Sequence, residues 1–194
     1  VFICGLARSG TTMLLRELYN SGQFRSLTYR DMPFVLMPGT WGKLTSAFQK
    51  KRELKERAHG DGIAIDYDSP EAFEEVFWRT FAGQDYILTD RLLPHSGNNE
   101  LIERFRLYVR RILDSSRDLH QNRYLSKNNN NVLRLPSIQK AFPAALIIVP
   151  FRDPAQQASS LMEQHLRFSN RHRVDKFSCD YMRWLGHHEF GLTH

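Results

Sequence analysis

The feature that most constrains the fold is a glycine loop between an apolar strand and an amphipathic helix at the start of the chain. The residues run V-F-I-C-G-L-A-R-S-G-T-T, with glycine at Gly5 and Gly10. Glycine adopts positive φ angles at little cost and lets a backbone approach a ligand closely, and N–H groups at a helix N-terminus favour an anion. The segment predicts a cradle for a tetrahedral oxyanion. A plain strand-to-helix turn with glycine at its corner is the alternative interpretation.

The cation of this loop is not where nucleotide-hydrolysing enzymes place it. In the P-loop pattern G-x-x-x-x-G-K-[ST], the backbone wraps the phosphates and the lysine reaches the β- and γ-phosphates. Thr11 occupies the position of that lysine, and the positive charge lies inside the loop, on Arg8. The loop is therefore expected to hold an oxyanion without being built like an ATPase.

A second group of charged and polar residues follows the most hydrophobic segment, Ala145 to Phe151. A near-continuous apolar run of this length predicts a central parallel strand that is buried on both faces. Arg152 comes directly after it, and Asp153-Pro154 predicts an N-cap and first residue of a helix reaching about Phe168. Ser160, eight positions beyond Arg152, lies about two turns into that helix.

The length of 194 residues and a hydrophobic content of 41% predict one folded domain over residues 1–194, with truncation at both ends left open. Residues 33–68 have no clean period and predict an insertion or lid. The sequence contains no run of about 18 apolar residues, so it predicts no membrane helix. The sequence signals predict these elements: strands at the N-terminus and at Phe24–Tyr29, Tyr86–Thr89, Asn122–Lys127 and Ala145–Phe151; helices at about Thr12–Ser21, Ser69–Gly83, Glu100–Leu113, Ser137–Phe142, Pro154–Phe168 and Val174–Leu185.

Charge and cysteine content leave several partners open. The net charge of +6 suits nucleic acid, acidic glycans or a nucleotide donor alike. The basic stretch from Lys50 to Arg57 is interleaved with acids and is expected to form a solvated helix face. Cys4 and Cys179 do not make a disulfide scaffold, which favours a reducing cytoplasm, although a Golgi lumen stays open if residues precede Val1. His187-His188 lacks a companion cluster for zinc.

With these two motifs in this order, the chain resembles the sulfotransferases that use 3′-phosphoadenosine 5′-phosphosulfate. Their loop [RK]-x-G-T-[ST] for the 5′-phosphosulfate is matched by Arg8-Ser9-Gly10-Thr11-Thr12. Their arginine with a serine eight positions later, which binds the 3′-phosphate, is matched by Arg152 and Ser160. Lys127 and the approach from Ala141 to Ile148 are typical of the glycan, tyrosyl and bacterial branches. The resemblance implies an α/β fold, a three-layer sandwich with a central parallel sheet.

The resemblance also implies a donor co-substrate and no required metal. Sulfuryl transfer is treated by analogy with phosphoryl transfer, in which positioning and electrostatics dominate. Arg8 is expected to stabilise charge on the bridging oxygen, with Lys127 as a second cation. Asp31 is the first candidate for the general base, and His59 and His95 are the others. The later Arg-Lys-Gly segment that closes the donor pocket in cytosolic members is not found before His194.

Two other functions compete with sulfuryl transfer. One is a P-loop nucleotide kinase with an altered loop, although no acidic pair follows an apolar strand and Arg152 stands there instead. The other is a non-enzymatic basic module that binds acidic glycans or nucleic acid. The acceptor class (sugar, lipid, phenol or peptide tyrosine) is not distinguished by the sequence.

Overall fold

The computed structural model describes residues 1–38, 40, 55–56, 62, 64–116 and 118–194. Most of the predicted insertion at 33–68 lies outside them. The described strands are β1 (Phe2–Ile3), β2 (Phe24–Arg25), β3 (Lys55–Glu56), β4 (Ala64–Ile65), β5 (Arg123–Tyr124), β6 (Ser126–Lys127) and β7 (Ile147–Ile148). The described α-helices are α1 (Thr11–Asn20), α2 (Glu75–Tyr86), α3 (Asn99–Asp114), α4 (Leu135–Ala141), α5 (Pro154–Val174) and α6 (Lys176–Trp184); short 3₁₀ helices span Tyr29–Asp31 and Asn129–Leu133.

The central strands are parallel and β1 lies between two of them. Ile3 of β1 is in register with Lys127 of β6 on one side and with Ile148 of β7 on the other. Strand β2 pairs in parallel with β5, and the Leu125 N–H donates to the Arg25 carbonyl at 3.0 Å, which joins this pair to β6. The strand order is therefore β2, β5 continuing into β6, β1 and β7. Strands β3 and β4 form a separate antiparallel pair.

Apolar side chains cover both faces of the sheet. Because side chains alternate along a strand, Phe2 and Ile3 point to opposite faces. Phe2 belongs to a large aromatic cluster with residues of α2, α3 and α4, whereas Ile3 packs with Leu15 of α1 and with Leu125. Helices thus lie on both sides of the sheet, so the predicted α/β class and three-layer arrangement are confirmed. The main members of the large cluster besides Phe2 are Cys4, Phe77, Trp78, Tyr86, Phe105, Tyr108, Ile112, Tyr124 and Ile138.

Helix α2 begins later than the Ser-Pro-Glu signal predicted. The Ser69 hydroxyl donates to Asp66, Pro70 bridges to Thr28, and the Glu71 N–H donates to the Leu27 carbonyl at 3.1 Å. This segment therefore pairs with the chain that follows β2 instead of starting a helix. The prediction of a strand at Tyr86–Thr89 was also wrong, because α2 continues to Tyr86 and Ile87 makes an isolated antiparallel bridge to Leu92 that does not extend into a strand.

The apolar run from Ala145 to Phe151 forms a shorter and more exposed strand than predicted. Strand β7 lies at the edge of the described sheet, and Leu146, Val149 and Phe151 are 58%, 60% and 87% exposed. The prediction of a strand buried on both faces was wrong because an apolar run by itself does not separate an edge strand from a central one.

The helix after β7 has the predicted start and a later end. The Asp153 side chain accepts from the Gln156 N–H, as expected of an N-cap, while α5 extends to Val174. The predicted strand beginning at Phe24 ends at Arg25 and gives way to the 3₁₀ turn at Tyr29–Asp31. Within the basic stretch, Lys55–Glu56 form a strand instead of the expected helix face.

Candidate functional site

The glycine loop is a tight turn at the carboxyl end of β1. Gly10 has φ 94° and immediately precedes α1, whose first intrahelical hydrogen bond runs from the Leu14 N–H to the Gly10 carbonyl at 3.1 Å. The Ser9 hydroxyl donates to the Leu6 carbonyl at 2.8 Å and fixes the turn from inside. Arg8 has φ 67°, a left-handed conformation that non-glycine residues seldom adopt. The loop therefore presents a helix N-terminus and an arginine to the same space.

The two sequence motifs meet in the folded chain. The Arg8 Nε donates to the Ser160 Oγ at 2.9 Å, and the Arg152 Nη1 donates to the Arg8 carbonyl at 3.1 Å. Gln157, one turn before Ser160 on α5, donates to the Ala7 carbonyl at 2.9 Å. The convergence follows from topology, because β1 and β7 are adjacent and parallel and each motif begins where its strand ends.

A third cation follows the strand on the other side of β1. Lys127 ends β6, and its Nζ lies 4.0 Å from the Glu71 Oε1, with the two side chains 10% and 17% exposed. Three neighbouring parallel strands thus have a cation at or after their carboxyl ends: Lys127 ends β6, Arg8 follows β1 and Arg152 follows β7. In open α/β sheets this edge is where ligands bind. Hydroxyls, guanidinium groups and a helix N-terminus in this arrangement suit an anion with several oxyanion groups.

A model of the sulfotransferase family matches residues 1–191. The chain belongs to the sulfotransferase family. Among solved structures it is similar to the sulfotransferase STF1 from Mycobacterium tuberculosis H37Rv, with 15% sequence identity and a TM-score of 0.42. The similarity covers 84% of this chain and 48% of that one, so the chain spans about half the length of that protein. No curated protein matches the chain.

Asp31 of this sulfotransferase is buried in polar contacts. The Arg25 Nη2 lies 3.0 Å from both of its carboxylate oxygens, and the Thr28 N–H donates to its Oδ2 at 2.8 Å, closing a capping box. The neighbouring Arg30 does not join these contacts and pairs with Asp68. Asp31 also follows β2, whereas the loop follows β1, and β5 and β6 lie between them. These contacts favour a structural role for Asp31 over that of a base.

The two histidines considered as bases differ in what the structure describes. His95 is buried with its ring stacked on Tyr86 at 4.6 Å between centroids. Burial, with a further contribution from Arg134, lowers the pKa of His95, so its neutral form is favoured. His59 lies outside the described residues.

A buried ionic layer supports the strand end that carries Lys127. Arg134 and Glu75 form a fully buried pair, with Nη2 3.0 and 2.8 Å from the two carboxylate oxygens, and the Arg134 guanidinium stacks over Trp78 and Tyr86. Asn128 and Asn130 donate to the same carboxylate. Glu75 therefore fixes the turn that directly follows Lys127.

The sequence did not indicate three features of this region: Gln157, Glu71 and the buried pair of Glu75 with Arg134. Gln157 shares a helix face with Ser160 at i, i+3 spacing, which is the one sequence signal that could have indicated it. Glu71 and Glu75 have no such signal, because their partners come from distant segments.

Three further observations concern the described residues alone. They contain no group of three or more histidine, cysteine, aspartate or glutamate side chains placed to hold a metal ion. None of the described helices is long and apolar enough to cross a membrane. Cys4 and Cys179 are both buried free thiols, and burial raises the pKa of Cys4 to about 12.

Proposed function

We propose that this sulfotransferase transfers the sulfuryl group of 3′-phosphoadenosine 5′-phosphosulfate to an acceptor hydroxyl or amine. The observation that carries the proposal is the meeting of the Arg8 loop with the Arg152 and Ser160 pair at one sheet edge. A donor with phosphate groups at both ends of its ribose needs two anion sites a short distance apart. The loop after β1 supplies one anion site, and Arg152 together with Ser160 of α5 supplies the other.

The chain's own groups fit the two ends of such a donor. The loop residues Arg8, Ser9, Gly10, Thr11 and Thr12 would hold the 5′-phosphosulfate with backbone N–H groups, hydroxyls and a guanidinium. Arg152 and Ser160 would hold the 3′-phosphate. The Arg152 contact to the Arg8 backbone links the two sites, so binding at one end positions the other.

Electrostatic stabilisation supplies the chemistry. Negative charge grows on the oxygen that bridges phosphorus and sulfur as the bond to sulfur breaks. Arg8 and the N-terminus of α1 are placed to stabilise that charge, as donors do in phosphoryl transfer. Lys127 would act from the neighbouring strand end against the transferring group, with its ammonium oriented by Glu71. None of these roles requires a divalent metal.

The partners follow from this chemistry. The donor is a nucleotide, and the acceptor is a glycan, lipid, phenol or tyrosine that enters opposite the loop. The buried free thiols Cys4 and Cys179 support a reducing cytoplasm as the compartment.

Binding of 3′,5′-adenosine bisphosphate tests the proposal. A ligand selective for the native state raises the melting temperature, so a concentration-dependent rise is expected with this nucleotide. Arg152→Ala should weaken binding by about 100-fold, because a charged hydrogen-bonding group contributes about 1.5–3 kcal/mol. Arg104→Ala is the matched control, because Arg104 forms an exposed pair with Glu100 on α3.

The alternatives give different results in the same assay. A rise in melting temperature with ATP and Mg²⁺ but not with the bisphosphate would indicate a nucleotide kinase. Salt-sensitive binding of heparin, with no response to either nucleotide, would indicate a polyanion-binding module. Transfer of labelled sulfate from the donor to an acceptor panel then tests turnover.

A further inference from the structure

The last residues of the chain lie against the donor-binding edge of the sheet. We call residues 186–194 the carboxyl segment. Phe190 packs with Ala7 of the loop and with Phe168 of α5. Asn129, two residues beyond Lys127, donates to the Glu189 Oε1 at 2.8 Å. The carboxyl segment therefore connects the loop after β1 with the turn after β6, on either side of the site.

This segment brings a histidine and a carboxylate together. The His187 Nδ1 lies within ion-pair distance, 3.4 Å, of the Glu189 Oε2, a buried oxygen that accepts no hydrogen bond from the described residues. The His187 backbone is held on both sides, by its N–H to the Met182 carbonyl at 2.9 Å and by the Thr193 hydroxyl to its carbonyl at 2.8 Å. A carboxylate at Nδ1 favours the tautomer with its proton there, which leaves Nε2 as the proton acceptor.

The charges around His187 come from three elements. Burial lowers its pKa, but Glu189 outweighs burial, Glu75 of α2 adds to the increase, and Lys127 at the end of β6 opposes it; the net result is a raised pKa. The imidazole likewise holds the pKa of the buried Glu189 at about 2. Asn129, two residues beyond Lys127, donates to the same Glu189 carboxylate that contacts the imidazole, so His187 and Lys127 lie in one region. The side chain of His187 keeps 22% of its surface exposed, enough for a proton to reach it.

We propose that His187 is the general base of the transfer and that Glu189 is its positioning residue. The proposal rests on the proposed function, since it concerns the acceptor side of the same site. The acceptor oxygen bonds to sulfur, the bond from sulfur to the bridging oxygen breaks, and its electron pair stays on the phosphate of 3′,5′-adenosine bisphosphate. The acceptor's proton goes to the His187 Nε2.

Other described groups are less suited to this role. Asp31 is saturated by Arg25 and Thr28, and the ring of His95 is enclosed by aromatic side chains. Glu71 is a further rival, because its carboxylate lies beside Lys127. It faces the ammonium that the proposed function uses against the sulfuryl group.

The pKa of His187 with and without nucleotide tests the location directly. NMR titration of the imidazole signals, with the His187 signal assigned from its loss in His187→Gln, should show its pKa rising when 3′,5′-adenosine bisphosphate binds, because the phosphates add negative charge nearby. His120, exposed before β5 at the opposite edge of the sheet, is the control and should not respond. A saturated complex in which the His187 pKa is unchanged would overturn the proposal.

Kinetics test the role. The rate is measured with labelled donor and the best acceptor of the panel, or with water in hydrolysis of the donor. It should rise with pH through a pKa above the ordinary histidine value, because only the neutral imidazole accepts a proton. His187→Gln should abolish this acidic limb and lower the rate by about 10²–10⁴-fold. Glu189→Gln should move the limb to lower pH, because the carboxylate that raises the imidazole pKa is gone, and Glu189→Asp should partly restore it. His120→Gln should change neither the acidic limb of the pH profile nor the rate.

Binding separates failure of this proposal from failure of the proposed function. If the wild-type protein does not bind the bisphosphate, the proposed function fails. If His187→Gln binds it normally and keeps the wild-type pH profile, the proposed function stands and the base is not His187. Loss of the limb in Glu71→Gln, with His187→Gln unaffected, would transfer the role to Glu71.

Discussion

Arg8 combines a side chain that we propose binds the donor with an unfavourable backbone conformation. Its φ of 67° places it in the left-handed region, which costs an L-residue about 1–2 kcal/mol. The surrounding contacts hold this conformation: Arg152 and Gln157 donate to the carbonyls of Arg8 and Ala7. The conformation directs the guanidinium toward Ser160 of α5.

Substitution of Arg8 can separate the backbone from the side chain. Arg8→Gly relieves the left-handed strain but adds unfolded-state entropy, so its free energy of unfolding should stay within about 1 kcal/mol of wild type. Arg8→Ala keeps the strain and should be the less stable of the two by about 1 kcal/mol. Both should lose about 100-fold or more in affinity for 3′,5′-adenosine bisphosphate. Urea denaturation and calorimetric titration measure the two quantities, and a glycine variant that binds normally would contradict the role given to the guanidinium.

Asp31 allows a similar separation of structure from chemistry. Because its carboxylate is the buried partner of Arg25, Asp31→Asn should lower the free energy of unfolding by about 3 kcal/mol. The folded fraction should still turn over donor at a rate close to wild type. Asp68 pairs with Arg30 and is more exposed than Asp31, so Asp68→Asn should lower the free energy of unfolding by about 1 kcal/mol or less. An Asp31→Asn protein with unchanged stability and no turnover would return Asp31 to the role of base.

Helix α2 begins with a buried charge that organises the strand end beside it. Glu75 pairs with Arg134 and accepts hydrogen bonds from Asn128 and Asn130. Glu75→Gln should therefore lower the free energy of unfolding by about 3–5 kcal/mol, since it leaves Arg134 buried without a counter-charge. Glu100→Gln, at an exposed pair on α3, should cost less than about 1 kcal/mol. Chemical denaturation of both variants checks this, and equal costs would refute the importance of the buried layer.

Elements governed by local signals were predicted well, and those governed by neighbours were not. Helices α1 and α3 begin and end within one residue of their predicted bounds, because the apolar period that indicates each of them lies within the segment itself. Helix α2 starts late because Pro70 pairs with Thr28, a contact that no window around Pro70 contains. The same distinction holds for the candidate site. Arg8, Arg152 and Ser160 belong to local motifs after predicted strands, so the sequence indicated them. Glu71 and Gln157 contact distant segments, so only the folded chain shows their contacts.

At the scale of the molecule, the site joins the first and last parts of the chain. The loop after β1 contacts α5 through Arg8 and Ser160 and contacts the carboxyl segment through Ala7 and Phe190. Parallel strands make this possible, because all their carboxyl ends lie on one edge. Loop geometry is thereby coupled to packing more than 150 positions away in sequence.

Phe190 tests that coupling, because it touches the loop without belonging to the proposed donor site. Its ring lies 4.9 Å from that of Phe168, and the side chain is 5% exposed. Phe190→Ala should lower the free energy of unfolding by about 3 kcal/mol through the cavity left beside Ala7 and Phe168. Because the loop then loses its packing partner, affinity for 3′,5′-adenosine bisphosphate should also fall, although Phe190 carries no polar group. Phe177→Ala, at a side chain that is 78% exposed, should change neither quantity. A Phe190→Ala protein that is less stable but binds the bisphosphate at wild-type affinity would show that the carboxyl segment and the loop are energetically independent.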